Sequence, residues 1–110
     1  MGEPMQVVDG ATYESSAPLV LTDVLHAFSD PVRLVMVRGL AEPGAERTCG
    51  SFDLPIAKST ASHHWGVLRD AGVVRTRVEG TKKFQMLRRD ELDAAFPGLL
   101  DAVIANSPDD

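Results

Sequence analysis

The sequence predicts a mainly α chain that closes with a small β-hairpin, α+β in class, in the order α-α-α-α-β-β-α. Three observations predict it. Within Lys58–Gly72 the apolar positions Ala61, Trp65 and Leu68 recur at i, i+4 and i+7, Ser59 is placed to cap the start, and Gly72 suits the left-handed residue past a helix end. Val73–Val78, Glu79-Gly80-Thr81 and Lys82–Leu87 then read as strand, glycine turn and strand. Further helical periods stand before and after this unit. A helix followed by a basic hairpin is the layout of a winged helix-turn-helix.

Taken in order, residues 1–15 contain two glycines, one proline and no sustained period, and are expected to form a flexible tail. The winged domain, with helices at both ends that would make a dimer, is expected over 16–104. Its first helix starts at Ser16 with Pro18 in the first turn, followed by Leu21, Leu25 and Phe28. Asp30 caps a second helix with Pro31 at its first position; Leu34, Val35 and Val37 face the core up to Ala41. Arg33 is expected to pair with Asp30 in preference to meeting phosphate. Glu42-Pro43-Gly44-Ala45-Glu46 makes a loop. Thr48–Ile56 is expected to hold a short third helix carried by Phe52, Leu54 and Ile56, limited by Pro55. After the hairpin, Asp90 caps a last helix with Leu92, Phe96, Leu99, Leu100, Val103 and Ile104 on one face, kinked at Pro97-Gly98. Residues 105–110 read as a frayed acidic tail.

A chain of 110 residues is one small domain, near the size at which a single core suffices. No run of about 18 apolar residues and no basic-then-apolar leader is present, so the expectation is a cytoplasmic protein without membrane attachment. One cysteine, Cys49, fits a reducing compartment. The net charge of −5 conceals an asymmetry: Lys58–Arg89 holds eight Lys or Arg and two acids, +6, while the rest of the chain carries −11. A DNA-binding surface must offer cations to phosphates, and this segment concentrates them.

The chemistry of the segment points the same way. Opposite its buried stripe the helix presents Ser59, Thr60, Ser62 and His63, short hydroxyls and an imidazole that reach phosphate oxygens and base edges. Lys58 stands beside the backbone, and Arg75, Arg77, Lys82 and Lys83 of the wing reach phosphates or a flanking minor groove. His63 is the best placed for a specific base contact, whereas His64 points toward the buried side. Ser62, His63 and Asp70 make no catalytic triad without a cleft and oxyanion donors, and no phosphate loop, dinucleotide fingerprint or His-Glu-x-x-His pair occurs. An enzyme is not expected. The competing reading is a winged-helix protein-interaction module that modulates another regulator without strong DNA binding.

Ser29-Asp30-Pro31-x-Arg33-Leu34, Ser59-Thr60-x-Ser62-His63-His64, Val67-Leu68-Arg69-x-Ala71-Gly72-Val73 and the Gly80 hairpin together resemble the ArsR/SmtB-type transcriptional repressors over roughly residues 19–104. The resemblance implies a homodimeric regulator that reads a near-palindromic double-stranded operator, with a packing histidine at His64 and leucine usual where Trp65 stands. It also implies two metal boxes, and neither is intact here. Gly50 and Phe52 occupy the cysteine positions before Asp53, Cys49 lies one place out, and no histidine occurs between Asp90 and Asp110. No cofactor is required on this reading. A divergent zinc or nickel site would draw on His26, Cys49, Asp93 or Asp101, with weak binding expected.

Overall fold

The computed structural model describes residues 18–108 and the backbone of two strands at 5–8 and 11–14. The chain runs β1 (Met5–Val8), β2 (Ala11–Glu14), α1 (Leu21–Ala27), α2 (Pro31–Gly39), β3 (Arg47–Thr48), a 3-10 turn (Cys49–Ser51), α3 (Lys58–Asp70), β4 (Val74–Glu79), β5 (Lys82–Leu87), α4 (Arg89–Ala95) and α5 (Leu99–Asn106). The strands form one antiparallel sheet in the order β1-β2-β4-β5-β3. Helix α3 packs beside β4, and α2 against α3 and α5, in the winged helix-turn-helix that the sequence predicts. Among the described residues no helix is long and apolar enough to cross a membrane.

Local chemistry explains the best-defined boundaries. Asp30 caps α2 as expected: Oδ1 accepts from the backbone N–H of Val32 at 2.8 Å and of Arg33 at 3.2 Å, with Pro31 at the first position. Gly72 adopts φ +84° just past α3, and Val73 N–H closes the end on the Leu68 carbonyl at 2.9 Å. Pro97-Gly98 breaks the last helical stretch in two, with Gly98 at φ +85° starting α5. That break folds α5 back on α2, where Arg38 Nη1 donates to the Ile104 and Ser107 carbonyls at 2.9 and 3.4 Å.

The structure corrects several expected elements. Where a flexible tail was expected before residue 16, β1 and β2 extend the wing sheet, with Tyr13 level with Arg77; residues 1–4, 9, 10 and 15 lie outside the described residues. Helix α1 begins at Leu21 rather than Ser16, because Val20 is still extended, with φ −115° and ψ 123°. No α-helix forms over Thr48–Ile56. Arg47 and Thr48 pair instead with Gln85 and Phe84 of β5, a three-residue 3-10 turn follows, and Pro55 cannot continue a helix. Ala57, not Ser59, is the N-cap of α3, and Arg88, not Asp90, that of α4; neither gives a side-chain cap. Where a frayed tail was expected from residue 105, α5 continues through Asn106 and Ser107 is buried; residues 109 and 110 lie outside the described residues.

Trp65, Met36, Leu40, Leu68, Leu92 and Leu100 are the largest fully buried side chains and place the core between α2, α3 and the two last helices. Phe52 meets Trp65 edge-on, ring centroids 5.1 Å apart, and seats the irregular 52–57 segment under α3. In α1 the buried stripe is Val24, Ala27 and Phe28, which leaves Val20, Leu21 and Leu25 each nearly half exposed.

Candidate nucleic-acid interface

Helix α3 divides by residue type. His64, Trp65 and Leu68 are buried, Ala61 is half-buried, and Lys58, Ser59, Thr60, Ser62 and His63 are all exposed in the first two turns. The three apolar anchors fix which way the helix rolls, so the hydroxyls and His63 face outward together. Because Ala57 supplies no side-chain cap, the first N–H groups of this 13-residue helix are not bonded by a capping side chain. Unbonded N–H groups, the positive end of the helix dipole and Lys58 make this end attractive to an anion.

The wing has two faces, set by the strand alternation. On the inner face Val74, Thr76, Gln85 and Leu87 are buried, and Thr76 Oγ1 donates to Gln85 Oε1 at 2.9 Å while Gln85 Nε2 reaches Cys49 Sγ at 3.4 Å. Cys49 thus serves as a half-buried acceptor that ties the 3-10 turn to the wing. On the outer face, opposite residues are Arg75 with Met86 and Arg77 with Phe84.

Those two arginines do not stand free toward solvent as the sequence suggested. Arg77 donates from Nε and Nη2 to the two carboxylate oxygens of Glu46 at 2.9 and 3.0 Å, contacts Glu79 through Nη1, and lies 4.3 Å over the Phe84 ring. The hydrogen bonds that Arg77 donates to Glu46 and Glu79, only partly opposed by desolvation, push its pKa up further. Arg75 Nη2 binds Glu91 at 2.7 Å. The same Glu91 takes Arg88 Nη2 at 2.5 Å, and Arg88 is buried. The Arg88 hydrogen bond is the main reason the Glu91 carboxyl sits below its usual range, against an opposing desolvation. Arg89 reaches Asp101 at 3.1 Å, Asp93 at 3.9 Å and the Ala41 carbonyl at 3.2 Å.

Four of the eight cations behind the +6 count are therefore matched by carboxylates inside the molecule. Lys58, Lys82 and Lys83 are exposed, one at the start of α3 and two beside the Gly80 turn. The structure thus leaves two groups of exposed candidates, the first turns of α3 and the wing tip, and assigns Arg75 and Arg77 to intramolecular ion pairs. Sequence reasoning missed the partners because Glu46 and Glu91 lie 31 and 16 residues away from the arginines they hold.

Arg33 also departs from expectation. Its side chain does not pair with Asp30; it donates to the Ala27 carbonyl at 2.7 Å, the His26 carbonyl at 3.3 Å and His64 Nδ1 at 2.9 Å. Phe52, at one of the family's cysteine positions, is a core residue, and Gly50 at the other is exposed. Among the described residues no three of His, Cys, Asp or Glu converge as ligands for a metal ion.

Comparison with known proteins agrees with this geometry. Residues 28–77 match the helix-turn-helix domain family. The chain is 34% identical over 94 residues to YceK of Bacillus subtilis, an uncharacterised HTH-type transcriptional regulator, covering 84% of this chain and 94% of that protein. It is 37% identical over 81 residues to an uncharacterised HTH-type transcriptional regulator of Methanocaldococcus jannaschii, covering 73% and 85%. The crystal structure of the transcriptional repressor BigR from Xylella fastidiosa superposes with a TM-score of 0.61 at 31% identity, over 77% of this chain and 83% of that one. With the fold, the exposed helix face and a likeness to such regulators over most of the chain together, the chain belongs to the helix-turn-helix-type transcriptional regulators.

Proposed function

We propose that this chain is a homodimeric, DNA-binding repressor of ArsR type that reads a near-palindromic operator. One observation carries the reading: α3 buries His64, Trp65 and Leu68 and turns Lys58, Ser59, Thr60, Ser62 and His63 outward together. The first turns of α3 enter the major groove, His63 contacts a base edge, the hydroxyls and Lys58 hold the backbone, and Lys82 and Lys83 add phosphate contacts from the wing tip. The likeness to BigR, a transcriptional repressor, favours repression.

The dimer reading rests on α1. Val20, Leu21 and Leu25 stay 46–47% exposed on one short helix, an apolar patch that a partner subunit would cover. The larger face expected from the C-terminal helices is mostly spent in the core, since Leu92 and Leu100 are buried and Phe96, Leu99, Val103 and Ile104 lie against them. Sedimentation at micromolar concentration is expected to show a dimer that Leu25→Glu dissociates; a monomeric wild type rejects this part.

The deciding experiment titrates the protein into its own upstream DNA and into an unrelated duplex at several salt concentrations. Three lysines per protomer, six in a dimer, predict a slope of log K against log salt of about −5. Preference for the upstream duplex with a slope near that value supports the proposal. A slope near zero and no preference favour the protein-interaction module instead.

A further inference from the structure

One guanidinium in the interior joins three helices. Arg33, in the first turn of α2, is 6% exposed, and its backbone is held by the Asp30 cap. Its Nε and Nη2 donate to the carbonyls of Ala27 and His26 at the end of α1, at 2.7 and 3.3 Å. Its Nη1 lies 2.9 Å from Nδ1 of His64, in the middle of α3. Arginine carries only donors, so Nδ1 is the acceptor and the imidazole proton belongs on Nε2. The ring of His64 lies 5.6 Å from that of His63 on the outward face.

The other anchors of α3, Trp65 and Leu68, are apolar contacts, which choose the buried face of the helix but carry no directional bond. The hydrogen bond from Arg33 is directional and comes from a rigid planar group. We propose that Arg33 is the positioning residue of the DNA-reading surface: through His64 it sets the roll of α3 against the end of α1. This rests on the DNA-reading function proposed above. A roll of the helix displaces Ser59, Ser62 and His63 relative to base edges while leaving the wing lysines where they are, so the bracket acts on discrimination between sequences and not on overall attraction to DNA. It also ties the reading helix to the C-terminal end of α1.

The test substitutes His64 in the full chain. Asparagine places an oxygen acceptor near the position of Nδ1, and phenylalanine keeps a ring without an acceptor; both leave the Arg33 bonds to α1 in place. Binding is measured to a duplex selected by the wild type from a random pool and to a scrambled duplex. His64→Phe is expected to lose about tenfold or more of the selected-to-scrambled affinity ratio with scrambled binding unchanged, and His64→Asn to keep the ratio within about twofold. Equal ratios in the two variants overturn the proposal, as does a loss in both duplexes alike. Amide hydrogen exchange over residues 58–63 gives a readout independent of DNA. Faster exchange in His64→Phe than in His64→Asn supports the bracket, and equal exchange refutes it. If the wild type itself shows no sequence preference, the DNA reading fails and exchange alone decides the bracket. Should His64→Phe not fold, His64→Leu takes its place in both measurements.

Discussion

Lys83→Ala and Arg77→Ala separate the two kinds of cation in the wing. Both residues look equivalent in sequence, six apart on one hairpin, yet Lys83 is exposed and Arg77 is held by Glu46, Glu79 and the Phe84 ring. A lysine that neutralises one phosphate contributes about 0.9 to the salt slope, so its removal from both subunits of a dimer lowers the slope by about 1.8. Over a fourfold rise in salt, the wild type then loses about 12-fold more affinity than Lys83→Ala does. Arg77→Ala is expected to leave the slope unchanged, because its charge is already met by two carboxylates, and to lower the thermal midpoint through loss of the link between the 42–46 loop and the wing. Fluorescence anisotropy at four or five salt concentrations, with melting curves on the same samples, reads both. Equal falls in slope for the two variants would show that Arg77 leaves Glu46 to reach DNA, and the charge accounting would be wrong.

His63→Ala is expected to weaken binding to a selected duplex by about 1–3 kcal/mol with the melting temperature unchanged; full retained discrimination removes His63 from the reading face. Gly66→Ala is expected to stabilise α3 by about 1 kcal/mol, since the added Cβ meets only Arg69 Nη2 at 3.8 Å, whereas Gly39→Ala drives a Cβ to 2.4 Å from Phe52 and destabilises; calorimetric unfolding of both variants checks the contrast. Burial opposes ionisation of Asp30, but the backbone N–H groups of Arg33 and Val32 outweigh it and hold the carboxyl below its usual range, as Arg88 does for Glu91. With folded values below unfolded ones, their stabilisation is complete above the ordinary carboxylate range and is lost as pH falls through the folded values; Asp30→Asn, which keeps a cap, is expected to flatten that acid limb in melting scans, and an unchanged limb contradicts it. Zinc and nickel are expected to bind weakly, because neither family box is present in the sequence; calorimetry showing one tightly held ion per subunit, with a tenfold change in DNA affinity, would reveal a site made from other residues.

What the sequence disclosed was whatever a few neighbouring residues decide. Asp30-Pro31 announces the start of α2, Gly72 the end of α3, Gly80 the wing turn and Pro97-Gly98 the break before α5, and each acts within four residues of itself. Strand pairing is not local. Arg47 and Thr48 become β3 only because β5 offers them an edge, and β1 and β2 join the sheet because β4 offers the other. Two residues of strand carry no period to read, and Phe52, Leu54 and Ile56 suggested a helix because their alternation meets the core from an irregular segment just as well.

The face of α3 was legible for the same local reason, and the electrostatics were not. Counting charge along the chain treats arginine and lysine alike, and here they behave differently. Arg33 and Arg38 bond the carbonyls that end α1 and α5, Arg33 reaching His64 as well, Arg47 bonds Ser51 and the Gly39 carbonyl, and Arg75, Arg77, Arg88 and Arg89 bond carboxylates. A planar group with five donors can satisfy several acceptors at once and loses little hydration in doing so, which suits it to stitching a small domain together. A lysine ammonium is strongly hydrated and offers no such fork, and all three lysines remain exposed at the start of the reading helix and the tip of the wing. On the proposed DNA-binding reading, the exposed cations that attract phosphate are the three lysines at the start of α3 and the wing tip, a smaller field than +6 suggests. A modest field leaves more of the binding energy to base contacts, so discrimination in this protein should depend strongly on how His63 and its neighbours are held.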